Sequence, residues 1–209
     1  MGELFVGTPK SDSILIYNPT DRAINIILPR EYGNATATMN SSVINPKKAD
    51  YIIVTANYNK ESAIGERIFH SFRFAFDRDL STNAYIYLQG ELSEDFSRLS
   101  HEELLNAPKA DVETRTYEFG TINEGEEVSH SFQLTNKGKR VLKIRSASSS
   151  CDCTLLKLKV DSLMPGESMP LTLYFNSKGK YGAQQRQIKL KTNDPENSLI
   201  ELWLTGNVK

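Results

Sequence analysis

Phe132-Gln-Leu-Thr-Asn-Lys-Gly-Lys-Arg-Val-Leu-Lys-Ile144 is the stretch on which the fold class turns. Phe132 and Leu134 alternate with polar Gln133 and Thr135, a glycine-bearing turn follows at 136–139, and Leu142 and Ile144 flank Lys143. Side chains two apart share one face of a strand, so each half offers an apolar face to a core and a polar face to water. The pattern continues outward on the C-terminal side. Leu171, Leu173 and Phe175 flank Thr172 and Tyr174; Ile188 and Leu190 alternate with Lys189 and Lys191; Ile200, Leu202 and Leu204 alternate with Glu201, Trp203 and Thr205. Pro165-Gly166 suits a type II turn and Asn193-Asp194-Pro195 another reversal. Short alternating segments at this spacing predict an all-β sandwich of the immunoglobulin type.

The N-terminal half repeats the arrangement. Ile14-Leu-Ile-Tyr-Asn-Pro-Thr-Asp-Arg-Ala-Ile-Asn-Ile26 lies on Phe132 to Ile144, with Asn18 on Asn136 and Arg22 on Arg140. Pro46 lies on Pro165 before the next strand, and Tyr85-Ile-Tyr-Leu-Gln-Gly90 lies on Glu201-Leu-Trp-Leu-Thr-Gly206. The offsets drift only between segments, as loop-length changes produce in an old duplication. The expectation is two tandem immunoglobulin-like β-sandwiches, residues 1–92 and 117–209. In the second copy Ala35-Thr-Ala-Thr38 has its counterpart at Cys151-Asp-Cys-Thr154, which sets alanines in the place of both cysteines. The lead-in from Phe5 to Ile14 reads as shortened in the first copy.

Between the copies, residues 93–116 read as a linker. Ser100-His-Glu-Glu103 has capping-box spacing, followed by Leu104 and Leu105 and stopped by Pro108, which predicts a short helix over about 101–106. Lys109 to Thr116 reads as exposed.

Residues 117–208 resemble a bacterial family of unknown function whose members are Hydin-like and major-sperm-protein-like immunoglobulin relatives. The resemblance rests on Phe119-Gly-Thr-Ile-Asn-Glu-Gly125, Phe132-Gln-Leu-Thr-Asn136, Ser150-Cys-Asp-Cys-Thr154 and Met164-Pro-Gly-Glu167. The family's middle motif is usually Cys-Gly-Cys-Thr, so Asp152 stands here for a glycine. The resemblance implies an immunoglobulin-like fold, frequent export to the cell envelope and no assigned reaction.

Composition narrows the function classes. In 209 residues, 25 basic and 26 acidic side chains give a net charge of −1. No block of like charge is available to neutralise a run of phosphates, so nucleic acid is not an expected partner. No apolar run reaches the roughly 18 to 20 residues of a membrane span. The start, Met1 to Phe5, lacks the basic region and apolar stretch of a secretory signal. The chain is therefore either cytoplasmic, or periplasmic or surface-exposed with its signal removed.

Cys151 and Cys153 carry the one distinctive chemical option. An extended pair points both sulfurs to one face, where they are read as a buried structural pair or disulfide, or alternatively as two thiolates for a metal or for redox chemistry. Two thiols are too few for zinc, and His70, His101 and His130 have no ligand spacing to them. No cofactor is expected. Ser129-His130-Ser131 reads as a solvent-facing strand edge, since neighbouring strand residues point to opposite faces. Lys178-Gly-Lys-Tyr-Gly182 reads as a hairpin connection without phosphate-loop context. Trp203, outward between Leu202 and Leu204, is the candidate protein contact, with residues 93–116 as a second surface and an open sheet edge as a third. The expected function is a non-enzymatic structural or protein-binding envelope module; the alternatives are a thiol-based metal or redox protein and a carbohydrate-binding module. Any special chemistry is assigned to the second copy.

Overall fold

The alternating stretches are β-strands in the computed structural model, which describes residues 2–28, 31–59, 64–65, 67–77, 79–158 and 160–209. The chain divides into two units, Met1–Asp95 and Phe96–Lys209. Strands of the first are β1 (Gly2–Phe5), β2 (Lys10–Tyr17), β3 (Ile24–Ile27), β4 (Glu31–Tyr32), β5 (Ala35–Met39), β6 (Val43–Ile44), β7 (Ala49–Ala56), β8 (Arg67–Phe76) and β9 (Asp79–Ser93). They form a five-stranded sheet in the order β1-β9-β8-β3-β6 and a four-stranded sheet in the order β2-β7-β5-β4. Inward residues of both sheets, among them Ile26, Ile52, Val54, Phe72 and Leu88, make one core.

The second unit opens with helix α1 (His101–Leu105), held by the expected capping box. Ser100 accepts at Oγ from the Glu103 N–H, and Glu103 accepts from the Ser100 N–H at 2.9 Å. Its strands are β10 (Ala110–Val112), β11 (Thr116–Ile122), β12 (Glu127–Asn136), β13 (Leu142–Ser149), β14 (Thr154–Lys157), β15 (Ser162–Leu163), β16 (Ser168–Asn176), β17 (Gly182–Thr192) and β18 (Leu199–Val208). The sheets run β11-β18-β17-β13-β15 and β10-β12-β16-β14, and Phe132, Leu134, Leu173, Phe175, Ile188 and Leu202 fill the space between them. The five-stranded sheets correspond strand for strand. In both, the first strand joins the last in parallel, β1 on β9 and β11 on β18. The four-stranded sheets share β2-β7-β5 with β12-β16-β14 and differ at their edges, where β4 closes one and β10 the other; both units are sandwiches, and the all-β tandem reading holds.

Four expectations need correction. First, Lys109 to Thr116 is not an exposed tether. Ala110 and Val112 are buried, and β10 pairs antiparallel with β12, Ala110 opposite Asn136 and Val112 opposite Leu134. Second, the first copy's lead-in is not shortened. Gly2 and Gly7 stand where Gly120 and Gly125 stand, all four at positive φ, the first of each pair within the entry strand and the second in the turn to the next strand.

Third, the alanines do not match the cysteines. Ala35 pairs with Ala56 and Ala37 with Val54, whereas the residues facing Phe175 and Leu173 are Thr154 and Leu156. The sequence match had slipped by three residues. Cys151 and Cys153 fall on Tyr32, the last residue of β4, and Asn34, in the turn before β5. The backbone agrees: Asn57 donates to the Asn34 carbonyl at 2.8 Å and Asn176 to the Cys153 carbonyl at 3.0 Å. Fourth, Lys178 to Gly182 is no hairpin. It carries the chain from β16 in one sheet to β17 in the other.

Candidate interaction surface

Asn136 explains how the second sandwich closes its edge. Its buried side chain donates from Nδ2 to the carbonyls of Arg140 (2.8 Å) and Leu163 (2.9 Å), and Oδ1 accepts from the N–H groups of Gly138 and Lys109. The Lys109 bond ties down the segment that leads into β10. Asp194, also buried, accepts the Ala110 N–H at 2.8 Å and the Glu196 N–H at 2.8 Å. Lys137 and Lys139 donate backbone N–H groups to the Lys109 and Ala107 carbonyls. Gly138 permits this closeness, since a Cβ there would lie 2.4 Å from the Ala107 oxygen.

The first sandwich repeats the pin without the strap. Asn18 donates to Arg22 (2.8 Å) and Ile44 (2.9 Å), but its Oδ1 accepts from the N–H and hydroxyl of Thr20. Thr20 thus satisfies locally what the Lys109 N–H satisfies in the other copy. Among the described residues β2 has β7 on one side and no strand on the other. Ile14 is 40% exposed where its counterpart Phe132 is 1% exposed.

The outer faces differ as sharply. On the first unit's five-stranded sheet Phe69, Tyr85 and Tyr87 are all exposed, Tyr87 at 60%. The Phe69 and Tyr87 ring centres lie 5.7 Å apart and those of Tyr85 and Tyr87 6.2 Å apart. Matching register, Ser71 opposite Tyr87 and Gln187 opposite Trp203, makes Trp203 the counterpart of Tyr87, Glu201 that of Tyr85 and Gln185 that of Phe69. Trp203 points outward as expected but is half-buried, and Glu201 meets Lys189 at 3.5 Å. The four-stranded sheets follow suit. Leu15, Tyr17, Tyr51 and Ile53 are exposed in the first unit, whereas the matching positions of the second are Gln133, Thr135, Pro170 and Thr172, beside exposed Tyr174, with Thr135 bonded to Ser168 at 2.8 Å and Ser131 to Thr172 at 2.9 Å. The aromatic row was missed in sequence although Tyr87 already lay on Trp203 in the repeat.

The cysteines form a disulfide, with Cα atoms 5.2 Å apart, half-buried in the turn that precedes β14. In this state neither sulfur is a thiolate, so metal binding there requires prior reduction. The Thr154 hydroxyl lies 3.5 Å from Cys151 Sγ. Among the described residues no group of three or more His, Cys, Asp or Glu is placed to hold a metal ion.

His130 is not at a solvent-facing edge. Its ring stacks on Tyr117 at 3.9 Å and meets Phe132 edge-on at 4.6 Å, and burial holds its pKa below the ordinary histidine value. The tight pleat that puts Ser129 and Ser131 on the polar face turns His130 inward, where it joins β11 of one sheet to β12 of the other.

Residues 110–208 match the model of a family described as protein of unknown function (DUF1573), a match that starts at the first residue of β10. No curated protein matches the chain. A crystal structure of a protein of unknown function from Porphyromonas gingivalis W83 is similar over 98% of this chain and 93% of that one, at 10% identity and a TM-score of 0.56. The ASH/PapD-like domain 7 of human CEP192 covers 56% of this chain and 94% of its own at 12% identity and a TM-score of 0.43. The YadV chaperone covers 97% and 96% at 12% identity and a TM-score of 0.32. The first of these supports the fold over nearly the whole chain; at such identities none speaks to activity. Among the described residues no helix is long and apolar enough to cross a membrane.

Proposed function

We propose that the chain is a non-enzymatic protein-binding module of the bacterial cell envelope, and that its contact surface is the aromatic row Phe69, Tyr85 and Tyr87 on the first sandwich. The observation that carries this is the contrast within one molecule: the same sheet face presents three exposed rings in one copy, and in the other a half-buried Trp203 beside the Glu201–Lys189 ion pair. Covering three half-exposed rings would remove on the order of 300 Å² of apolar surface, about 7 kcal/mol before costs. Association itself costs a comparable amount, so the reading is of reversible binding to which neighbouring contacts add. A disulfide persists in oxidising compartments, which supports the envelope over the cytoplasm. Trp203 would serve as a smaller counterpart contact on the second unit.

The same rings favour a second reading, a carbohydrate surface, and one experiment separates the two. A photo-crosslinking residue is placed at Tyr87 and, as control, at Gln133, in cells that express the chain. Specific protein adducts at Tyr87 alone are expected. Absence of adducts, with retardation in a polysaccharide gel that Tyr87→Ala abolishes, would replace the protein reading by the carbohydrate one.

A further inference from the structure

We infer that β2 is a pairing edge whose occupant is the β2 of a second copy of this chain. The Asn18 N–H is directed to the Lys48 carbonyl on the β7 side. Strand groups alternate sides, so the N–H and C=O of Leu15 and Tyr17 face the open side. The next group along, the Ser13 N–H, is taken by the Asp12 carboxylate at 2.8 Å. The open stretch is therefore Ile14 to Asn18.

The second sandwich displays what such an edge accepts. β10 runs antiparallel with two inward apolar side chains, Ala110 opposite Asn136 and Val112 opposite Leu134, and the matching places in the first unit lie opposite Asn18 and Ile16. A second β2, antiparallel about a two-fold axis through Ile16, sets its own Ile14 in the place of Ala110 and its own Ile16 in that of Val112. On the outer face the same register sets Leu15 opposite Tyr17 twice, beside Tyr51 and Ile53, which are already exposed. No charge lies within the paired stretch. Each Leu15 and Tyr17 pair exchanges two backbone bonds, about four in all, and the two four-stranded sheets become continuous.

Thr20 sets the limit of the pairing. Gly138, its counterpart, leaves room for the backbone of 107–109, whereas Thr20 carries a side chain, so an added strand separates beyond Asn18. So short an edge buries far less than the roughly 1,600 Å² of a standard interface, which makes the dimer weak and concentration-dependent.

Sedimentation equilibrium of the full chain tests this. The mass should rise from 23.5 kDa towards twice that value between micromolar and millimolar concentration. Leu15→Pro removes an edge-directed N–H while leaving the β7 ladder, which uses the alternate residues, and should hold the chain monomeric. Tyr17→Lys should do the same by placing ammonium groups across the pairing, and keeps the test decisive where the proline variant fails to fold. A chain monomeric throughout, or a dimer indifferent to both substitutions in folded protein, overturns the inference. It rests on the protein-binding reading, but the two fail separately, because adducts at Tyr87 report on that reading and are untouched by Leu15→Pro.

Discussion

Asn18 and Asn136 hold one position in two sandwiches: each is fully buried, and each donates from Nδ2 to the carbonyl of the arginine four residues on and to the carbonyl of the short strand beside it, at the same 2.8 and 2.9 Å. Removing either side chain strands two buried acceptors and frees a turn N–H. Asn136→Ala and Asn18→Ala are each expected to lower the stability of their own unit by on the order of 3 kcal/mol, against about 0.5 kcal/mol or less for Gln133→Ala. Urea unfolding followed by a probe in each unit checks this; equal loss in the Gln133 control would refute it.

Acid should weaken the second unit through His130. Its folded pKa lies below the ordinary value because burial disfavours the imidazolium. Above pH of about 6.5 both folded and unfolded chains carry it neutral, and nothing is lost. As pH falls below that value the unfolded chain takes up a proton that the folded chain refuses, so stability declines until the folded pKa is passed. The Tm advantage of the parent over His130→Gln should therefore shrink as pH drops from 7.5 to 5. A constant difference would show that the ring's burial does not govern its titration.

Gly166 and Lys47 occupy the same turn at φ of +81 and +56. Nothing surrounds the missing Cβ of Gly166, so Gly166→Ala costs conformational strain alone, about 1 kcal/mol. Lys47→Gly should move the first unit the other way by a similar amount, reduced by the loss of its exposed contacts to Asp21 and the Pro19 carbonyl. Opposite signs in thermal melts are the expected outcome.

Asp194 fastens β10 from the β17–β18 connection of the facing sheet. In Asp194→Ala the Ala110 N–H loses its acceptor, and hydrogen exchange at Ala110 to Val112 should accelerate well before that of Leu134. Uniform exchange across both strands would mean that β10 is held by its ladder alone.

The Cys151–Cys153 bond closes a loop so small that the chain-entropy account gives it at most about 1.5 kcal/mol. Cys151→Ser with Cys153→Ser should leave the fold intact and the Tm only slightly lower. Unfolding of the second unit in that variant would show that the pair carries structural weight beyond loop closure.

Residues such as Leu171, Leu173 and Phe175 made the strands legible because a period of two over several residues has no rival explanation. Ser100 and Glu103 did the same for α1 through a local bond. Ala110-Asp-Val112 was illegible: three residues are too few for periodicity, and their anchor, Asp194, lies 84 positions away. The cysteines were set against Ala35 and Ala37 by the spacing of the repeat, whereas the partner strand decides equivalence, and Phe175 faces Thr154. The aromatic row escaped notice because Phe69 meets Tyr85 and Tyr87 only through the pairing of β8 with β9. Chemistry had been assigned to the second copy on its thiols, yet the exposed aromatic row Phe69, Tyr85 and Tyr87 belongs to the first.

A duplicated sandwich starts with two identical rims, and here residues 107–112 stitch one of them shut. A boundary drawn between Val112 and Thr116 would spare every core side chain of the second unit apart from Ala110 and Val112, and still remove the stitch. The rim of β12 would then stand as bare as that of β2. Where a protease or an engineered boundary falls in this short segment thus decides whether the chain has one adhesive edge or two.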